Sequence, residues 1–248
     1  MKIALLSDIH SNVYALEAVI NDAQSRSVDH MANLGDILYG PIAPQATYER
    51  LMKHEFITIS GNQDREIVES ASDETALNST LTFILEDLSE EAIAWLKSLP
   101  FDHQFNDDVY LCHGTPSSDL VYLLEDISSG TPKLRSDNEI TRLLAGQRSS
   151  LVCCGHTHLA RTVTLNNGQT VINPGSVGLQ AYTDNEPVIH SMQNFSHHAS
   201  YSIVEKTNVG WRTENINVPY DTEQAIMACQ YRGRQDWAHF LRTGRDVS

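Results

Sequence analysis

The sequence repeatedly places aspartate, asparagine or histidine directly after a short apolar segment. Two of these places have the spacing Asp8-x-His10 and His156-x-His158. Residues i and i+2 of an extended strand point to the same side, so both members of each pair can reach one cation. The remaining members of the set are Asp36, Asn62 and His113. Together these side chains supply two carboxylates, four imidazoles and one amide, all of which are metal ligands.

This donor set has the chemistry of a transition-metal site. The glycines before Asp36, Asn62 and His156 let the backbone turn sharply beside a bound group. Mixed nitrogen and oxygen ligation suits Mn, Fe or Zn better than Ca or Mg. Seven donors are too many for one ion that keeps an open position, but they suit two ions that share Asp36. We therefore expect two divalent transition-metal ions as cofactors.

The apolar segments before these residues predict buried parallel strands. Segments 2–7, 30–34 and 56–60 are predicted strands, and helical patterns at 13–23 and 44–54 separate them. This alternation implies right-handed crossovers and a parallel sheet. Ligands bind beyond the carboxyl ends of the strands in such sheets, so one topology brings all seven side chains to one rim.

The rest of the chain adds further strands and an outer set of helices. We predict a helical side element over 70–98, a long loop over 178–199 and a C-terminal helical segment over 221–243. The other predicted strands are 109–112, 151–154, 161–165, 170–172, 200–205 and 212–218. The expected fold is a single α/β domain over 1–248, in which two mixed sheets pack face to face and helices cover them.

Length, charge and cysteine usage exclude several classes of protein. The 248 residues are 41% hydrophobic and 20% charged, which is typical of a globular domain. With 32 acidic and 17 basic residues, the net charge of −15 disfavours long nucleic acids and anionic membranes as partners. The sequence has no apolar run long enough to span a membrane and no Cys-x-x-Cys pair, so we expect a cytoplasmic protein. The oligomeric state stays open.

Five short motifs occur in order between residue 3 and about residue 205. They are Asp8-Ile9-His10, Gly35-Asp36, Gly61-Asn62-x-Asp64, His113 and Gly155-His156-Thr157-His158. They resemble the calcineurin-like metallophosphoesterase superfamily, and Asn173-Pro174-Gly175-Ser176 is similar to its compact bacterial and archaeal branch. The resemblance implies a four-layer α/β/β/α sandwich with a dinuclear metal site at the carboxyl-terminal rim of the strands.

The resemblance also implies a role for each residue of the set. Asp36, Asn62 and His113 are the expected catalytic residues, and Asp36 would bridge the two metals. The other expected metal ligands are Asp8, His10 and His158 at one ion and Asn62, His113 and His156 at the other. Two cations would lower the pKa of a bridging water, and the resulting hydroxide would attack a small phosphomonoester or phosphodiester.

One position departs from the family pattern. Gln63 stands where most members carry a histidine that is thought to protonate the leaving group. A glutamine amide donates hydrogen bonds but cannot deliver a proton. Loss of a general acid typically costs about 10²–10⁴-fold in rate, so we expect a preference for good leaving groups or diesters. A histidine of the predicted loop, His190, His197 or His198, is an alternative proton donor.

Residues near the motifs are candidate substrate contacts, each with a structural alternative. Asn12, Tyr39, Gln63 and Arg65 are placed to face a phosphate. Asn12 also fits a helix start, and Arg65 also fits a surface ion pair. Asp64 is expected to orient a neighbour rather than to bind metal.

Two other functions compete with phosphate-ester hydrolysis. Gln63 is consistent with a non-catalytic scaffold or interaction protein on the same fold, although every expected metal ligand is present. A metal-dependent deaminase or amidohydrolase also uses aspartate and histidine, but it would need His-x-His near the N-terminus instead of Asp8-x-His10. We therefore expect a hydrolase, acting as a phosphodiesterase or phosphatase on a small substrate.

Overall fold

The computed structural model describes residues 1–72 and 78–247, and within these ranges the chain forms fourteen strands and eight helices. The strands are β1 (Lys2–Leu6), β2 (His30–Asn33), β3 (Ile57–Thr58), β4 (Asp102–Asn106), β5 (Val109–Cys112), β6 (Glu125–Asp126), β7 (Lys133–Leu134), β8 (Leu151–Cys153), β9 (Arg161–Thr164), β10 (Thr170–Asn173), β11 (Ala181–Asp184), β12 (His190–Gln193), β13 (Ala199–Thr207) and β14 (Gly210–Val218). The helices are α1 (Val13–Ser25), α2 (Pro44–Leu51), α3 (Asn62–Ser70), α4 (Ser79–Asp87), α5 (Glu90–Ser98), α6 (Asp137–Leu143), α7 (Thr222–Tyr231) and α8 (Gln235–Thr243).

Ten of the described strands form two five-stranded mixed sheets. The first sheet has the order β14-β13-β1-β2-β3. Strands β1, β2 and β3 are parallel to one another, and β13 pairs antiparallel with both of its neighbours, β1 and β14. The second sheet has the order β4-β5-β8-β10-β9, with parallel β5, β8 and β10 between antiparallel edge strands. The prediction of two mixed sheets is confirmed.

Period-two burial along the central strands builds the core between the sheets. Ile3 and Leu5 of β1 and Leu111 of β5 belong to one buried cluster that joins the two sheets. Ala4 and Leu6 of β1 point to the opposite face and belong to a cluster formed with helices. Because successive side chains of a strand point to opposite faces, β1 is buried on both sides and reads as a continuous apolar run.

Helices cover the outer faces of both sheets. On the first sheet, Leu16 and Ile20 of α1 pack in the same cluster as Leu6. On the second sheet, Ile140 of α6 packs in a cluster with Tyr110 of β5. The order of layers is therefore helix, sheet, sheet and helix, as the family resemblance implies.

The prediction of a long loop over 178–199 is wrong, because this segment contains a hairpin of β11 and β12. Ala181 and Met192 are completely buried, and His190 is only 2% exposed. The inward positions of β12 are thus a histidine and a methionine. A polar residue on the inward face hid the period-two pattern that predicts a strand.

The two predicted helical segments are each divided into shorter helices. Helices α4 and α5 lie within the side element predicted for 70–98, of which residues 73–77 lie outside the described residues. The segment over 221–243 forms α7 and α8, which separate at Gly233, whose φ of +73° belongs to the left-handed region that ends helices. In the described part of the chain, every helix is too short or too polar for a membrane span.

Candidate active site

Loops at the carboxyl ends of five parallel strands carry the seven expected metal ligands. The residues after β1, β2, β3, β5 and β8 are, in that order, Asp8 with His10, Asp36, Asn62, His113, and His156 with His158. The structure therefore brings all seven side chains to one edge of the sandwich, although they are spread over 150 residues of sequence.

The backbone at this edge is held in an uncommon conformation. Asp8, His10, Asp36, His156 and His158 all have φ between 49° and 70°. Such a left-handed conformation costs on the order of 1 kcal/mol for a residue with a side chain, and it concentrates at functional sites. Hydrogen bonds between the loops hold it in place: His10 N–H donates to the Asp36 carbonyl at 3.1 Å, and His156 N–H donates to Asp8 Oδ2 at 3.2 Å.

Asp8, His10 and His158 form a first group, whose ligand atoms lie within 4.8 Å of one another. His10 Nδ1 lies 3.1 Å from the Tyr39 carbonyl, and His158 Nδ1 lies 2.6 Å from the Leu179 carbonyl. Because a carbonyl only accepts, each Nδ1 carries a proton and each Nε2 presents a lone pair in the neutral ring. The two Nε2 atoms are 3.0 Å apart. Asp8 Oδ1, 3.4 Å from His158 Nε2, is buried without a hydrogen-bond donor.

Asp36, His113 and His156 form a second group of the same dimensions. His113 Nδ1 lies 2.8 Å from the Leu34 carbonyl, so its Nε2 is the atom that faces the group. That Nε2 lies 3.1 Å from Asn62 Oδ1 and 3.5 Å from Asp36 Oδ2. The His113 Nε2 therefore faces two oxygen atoms, and Asn62 joins the second group.

Acceptor atoms that face one another are stable only when positive charge lies between them. In both groups imidazole nitrogens face carboxylate or amide oxygens, and most of these side chains are buried. An orphaned buried carboxylate oxygen beside two imidazole nitrogens is a cation ligand set in type and in spacing. The residues present therefore fit one divalent cation in each group.

The electrostatics of the site favour the same interpretation. Burial lowers the pKa of His10 and that of His156 to about 4, so both rings are neutral ligands at pH 7. Burial also acts to lower the pKa of His113, but the charges of Asp36 and Asp8 outweigh it and raise that pKa to about 10. Burial would raise the pKa values of Asp8 and Asp36, yet the nearby histidines hold both pKa values below the ordinary value of an aspartate. The site thus attracts positive charge.

Two residues of the Asn173–Ser176 motif tie the ligand loops together. Asn173 Nδ2 donates to the Gly155 carbonyl at 2.7 Å and to Thr157 Oγ1 at 3.0 Å. Ser176 Oγ donates to the Asp8 carbonyl at 2.8 Å. Sequence reasoning missed these positioning roles. The available signal was that the motif follows an apolar strand, as the ligands do.

Asp64 connects the loop after β2 to the start of α3. Its Oδ1 accepts from Ile37 N–H at 2.8 Å and its Oδ2 accepts from Gly61 N–H at 3.0 Å. Burial, together with the charge of Asp36, raises the pKa of Asp64 to about 7. These contacts support the expectation that Asp64 orients its neighbours. Gly61 has no room for a side chain, because a Cβ there would overlap Asp36 Oδ1.

The two ligand groups lie at the floor of an open cleft of about 650 Å³. The described residues that form its walls are Tyr39, Gln63, Tyr122, Leu179, Tyr182, Thr183, Asp184, Arg234, Asp236, Trp237, Phe240, Asp246 and Val247. Of the four candidate substrate contacts, Tyr39 and Gln63 are therefore in the cleft. Its volume is in the range of small-molecule sites and far exceeds a phosphate group.

The other two candidate substrate contacts are used elsewhere. Asn12 is completely buried at the start of α1, where its Oδ1 accepts from Ala15 N–H at 3.1 Å. Its amide group donates to the Gly178 carbonyl at 3.0 Å and to the Tyr220 hydroxyl at 3.1 Å, so no donor is left for a substrate. The structure thus favours the helix-start role.

Arg65 lies outside the cleft and forms ion pairs at the surface. Its Nε donates to Asp119 Oδ2 at 2.8 Å, and its Nη1 lies 3.3 Å from Glu69 Oε1. The side chain is 43% exposed. Arg65 is therefore a surface ion-pair residue, the alternative considered for it, and does not contact the cleft.

None of the three histidines of segment 178–199 is among the described residues that line the cleft. His190 is buried, with Nε2 2.9 Å from the Tyr122 hydroxyl and Nδ1 2.8 Å from the Val188 carbonyl. The rings of His197 and His198 contact each other at a centroid distance of 4.7 Å. His190 is thus held behind the cleft wall by its contact with Tyr122, and none of the three lines the described cleft, as the alternative proton donor would.

Two tyrosines that sequence reasoning missed pack on the ligands. The Tyr122 ring lies 4.6 Å from the His156 ring, and the Tyr182 ring lies 4.6 Å from the His158 ring. The Tyr182 hydroxyl lies 3.1 Å from the His156 carbonyl and donates there or to the Tyr122 hydroxyl. Tyr182 belongs to the hairpin that was expected to be a loop, so no strand register was available to place it.

Comparison with known families identifies the superfamily of the chain. The family model described as the calcineurin-like phosphoesterase superfamily domain matches residues 1–194. The chain belongs to this superfamily. Its membership supports phosphoester hydrolysis as the general reaction and divalent metals as cofactors of this phosphoesterase domain.

Similar proteins span nearly the whole chain. Uncharacterized protein MJ0912 of Methanocaldococcus jannaschii is 25% identical over 234 residues, which cover 90% of this chain and 89% of that protein. A metallophosphoesterase from Sphaerobacter thermophilus has a TM-score of 0.75 at 23% identity, covering 99% of this chain and all of that one. Hypothetical protein PH1004 from Pyrococcus horikoshii OT3 has a TM-score of 0.76 at 16% identity, covering 99% of both chains. These structures share the phosphoesterase fold of this chain.

Proposed function

We propose that this protein is a phosphoesterase with two divalent transition-metal ions, which hydrolyses a small phosphomonoester or phosphodiester. The observation that carries the proposal is the convergence of lone pairs at the cleft floor. His10 Nε2 and His158 Nε2 face each other at 3.0 Å beside the donorless Asp8 Oδ1. The second group, around Asp36, opens into the same cleft.

The protein would hold the cations through residues whose orientation is already fixed. Asp8, His10 and His158 would bind one ion, Asn62, His113 and His156 the other, and Asp36 would contact both. Two adjacent divalent ions supply an activated water and neutralise the charge of a phosphoryl group. Backbone carbonyls at Nδ1 of His10, His113 and His158 fix each ring with Nε2 towards the site, so little reorganisation is needed on loading.

The side chain of Gln63 sets the expected limit on the substrate. Gln63 lines the cleft. A side-chain amide can donate a hydrogen bond to a leaving-group oxygen but has no proton to transfer. His190, His197 and His198 are not among the described residues that line the cleft, so we do not assign that proton to them. We therefore propose that the protein favours esters whose alcohol leaves without protonation, or diesters, over alkyl monoesters.

Metal analysis combined with one substitution tests this function. We expect about two transition-metal ions per chain in protein purified without chelator, and hydrolysis of bis(p-nitrophenyl) phosphate. Asp36→Asn keeps the shape but removes the shared charge, and should lower turnover by roughly 10²-fold or more. Asp126→Asn, at an exposed carboxylate away from the cleft, is the control and should match the unsubstituted protein. A folded protein that binds no metal, or an Asp36→Asn variant with full activity, would contradict the proposal.

A further inference from the structure

The cleft extends from the ligand groups along two walls that are aromatic near the floor and acidic further out. On the first wall, the Trp237 ring meets the His10 ring edge-on at a centroid distance of 5.7 Å. Arg234 lies over Trp237 at 5.3 Å, and Asp236 pairs with Arg234 at 2.6 Å. This wall, from α8 and the residue before it, thus starts at a proposed metal ligand and ends in a carboxylate.

The second wall, from the β11–β12 hairpin, has the same order. Tyr182 packs on the His158 ring, and the next residues along β11 are Thr183 and Asp184. The Thr183 hydroxyl donates to Asp246 Oδ1 at 3.1 Å, which brings a second carboxylate to this wall. Both walls therefore lead from an aromatic ring beside a ligand to an acidic outer part.

The charges of the outer part do not cancel. Among the described residues that line the cleft, Arg234 is the one arginine or lysine, and the outer acidic residues are Asp184, Asp236 and Asp246. The Arg234 guanidinium is already used: Nε and Nη2 donate to the Asp236 carboxylate at 2.9 and 2.6 Å, and Nη1 donates to Thr80 Oγ1 at 2.6 Å. The pair is neutral as a unit, which leaves Asp184 and Asp246 as net negative charge.

The Asp246 carboxylate is ionised at neutral pH. Ser191 Oγ donates to its Oδ2 at 2.6 Å, and the Thr183 hydroxyl donates to its Oδ1. The Ser191 hydroxyl, followed by the Val247 N–H and the Thr183 hydroxyl, holds the pKa of Asp246 below its ordinary value. The hydroxyl and N–H partners are neutral, so they fix the carboxylate in place without cancelling its charge. The His239 ring, whose Nε2 lies 2.9 Å from the Asp246 carbonyl, also acts to lower this pKa.

From this arrangement we infer that the cleft selects phosphate esters by the charge of the alcohol they carry, with cationic alcohols bound best, neutral ones next, and alcohols bearing a second anion worst. This inference rests on the proposed function, because the phosphate itself must be held at the ligand groups. The outer carboxylates attract an ammonium group, and the Tyr182 ring that lines the cleft is a favourable neighbour for it. A second phosphate or a carboxylate on the alcohol would meet no free cation there.

Binding of three phosphomonoesters of similar size separates these cases without requiring turnover. Isothermal titration calorimetry on the metal-loaded protein with phosphocholine, ethyl phosphate and phosphoglycolate keeps the phosphate constant and changes only the charge of the alcohol. A unit charge about 6 Å from a carboxylate in a partly solvated cleft contributes roughly a threefold to tenfold factor. We expect phosphocholine to bind about tenfold or more tightly than phosphoglycolate, with ethyl phosphate between them.

Substitution of Asp184 and Asp246 tests whether their carboxylates cause the charge selection. In a variant carrying Asp184→Asn and Asp246→Asn, the ratio of the phosphoglycolate and phosphocholine dissociation constants should fall by about threefold or more. Asp126→Asn is the matched control, because Asp126 and Asp184 each accept from the backbone N–H two residues on at 3.1 Å, and Asp126 lies outside the cleft. It should leave the ratio unchanged.

Failure of the charge selection and failure of the proposed function give different results. Phosphoglycolate binding as tightly as phosphocholine, or a ratio unchanged in the double variant, would overturn the charge selection while the proposed phosphoesterase function stands. If the protein neither binds nor cleaves any phosphate ester in the presence of metal, the proposed function fails and the selection fails with it.

Discussion

Gln63→His should return a proton donor to the cleft and shift the substrate preference towards poor leaving groups. Gln63 occupies the second position of α3, lines the cleft, and its Oε1 is buried without a donor. Its contact with Asp36 uses the main chain, since Gln63 N–H donates to Asp36 Oδ1 at 2.9 Å. The substitution therefore changes the side chain, removes an unsatisfied acceptor and keeps that hydrogen bond.

The size of the effect depends on how much the leaving group needs a proton. A positioned general acid contributes about 10²–10⁴-fold to such a step. A nitrophenolate leaves unprotonated, so its release gains little. The N-terminus of α3 and nearby cations lower the pKa of an imidazole at this position, which keeps only part of it protonated at pH 7. We therefore expect a rise of roughly 10²-fold for an alkyl ester and less than about threefold for an aryl ester.

The assay is kcat/KM for ethyl phosphate, by phosphate release, against p-nitrophenyl phosphate, by absorbance. Gln63→Asn is the control, because it keeps an amide and adds no acid. Metal content and Tm are measured for each variant. The gain of Gln63→His should decline as the pH rises through the pKa of the new imidazole. An alkyl-to-aryl ratio within about threefold of the unsubstituted protein, at full metal content, would refute the missing-acid explanation.

Three further predictions follow from the contacts around the ligands. Gly61→Ala should lower the metal content, because the methyl group would overlap Asp36 Oδ1; full loading by elemental analysis would contradict the close approach. Asn173→Ala leaves the Gly155 carbonyl and the Thr157 hydroxyl without their hydrogen-bond donor. We expect it to lower the free energy of unfolding by about 1–3 kcal/mol and the metal affinity by about 10–100-fold. Chemical denaturation and metal titration measure these losses, and unchanged values would show that Asn173 does not hold the loop. Chelator treatment should lower Tm, because metal at about 100 times its Kd adds roughly 2.7 kcal/mol to the folded state; an identical Tm for apo and metal-loaded protein would contradict a preformed site.

The central sheets could be predicted because both of their faces are buried. The segments of β1, β5 and β8 read as continuous apolar runs, and each has its predicted position to within a residue or two. Polar ligands directly after them were therefore visible as interruptions. The resemblance to a known family then supplied the expected grouping of the ligands, and the structure places Asp8, His10 and His158 in one cluster and Asp36, His113 and His156 in another.

The hairpin and the cleft walls depend on contacts that sequence patterns do not encode. The inward position of His190 is explained by the hydroxyl of Tyr122, 68 residues away in sequence. Tyr182 reaches the His158 ring only because β11 pairs with β12. Trp237 reaches His10 from the far end of the chain. Each of these contacts is a product of tertiary packing, so composition and periodicity gave no access to them.

Anomalous diffraction from crystals of the Mn²⁺-loaded protein tests the two-metal centre most directly. We expect two anomalous peaks per chain, one among Asp8, His10 and His158 and one beside His113, with Asp36 in contact with both. A single peak, or no peak, in crystals of protein that still hydrolyses bis(p-nitrophenyl) phosphate would contradict a dinuclear centre.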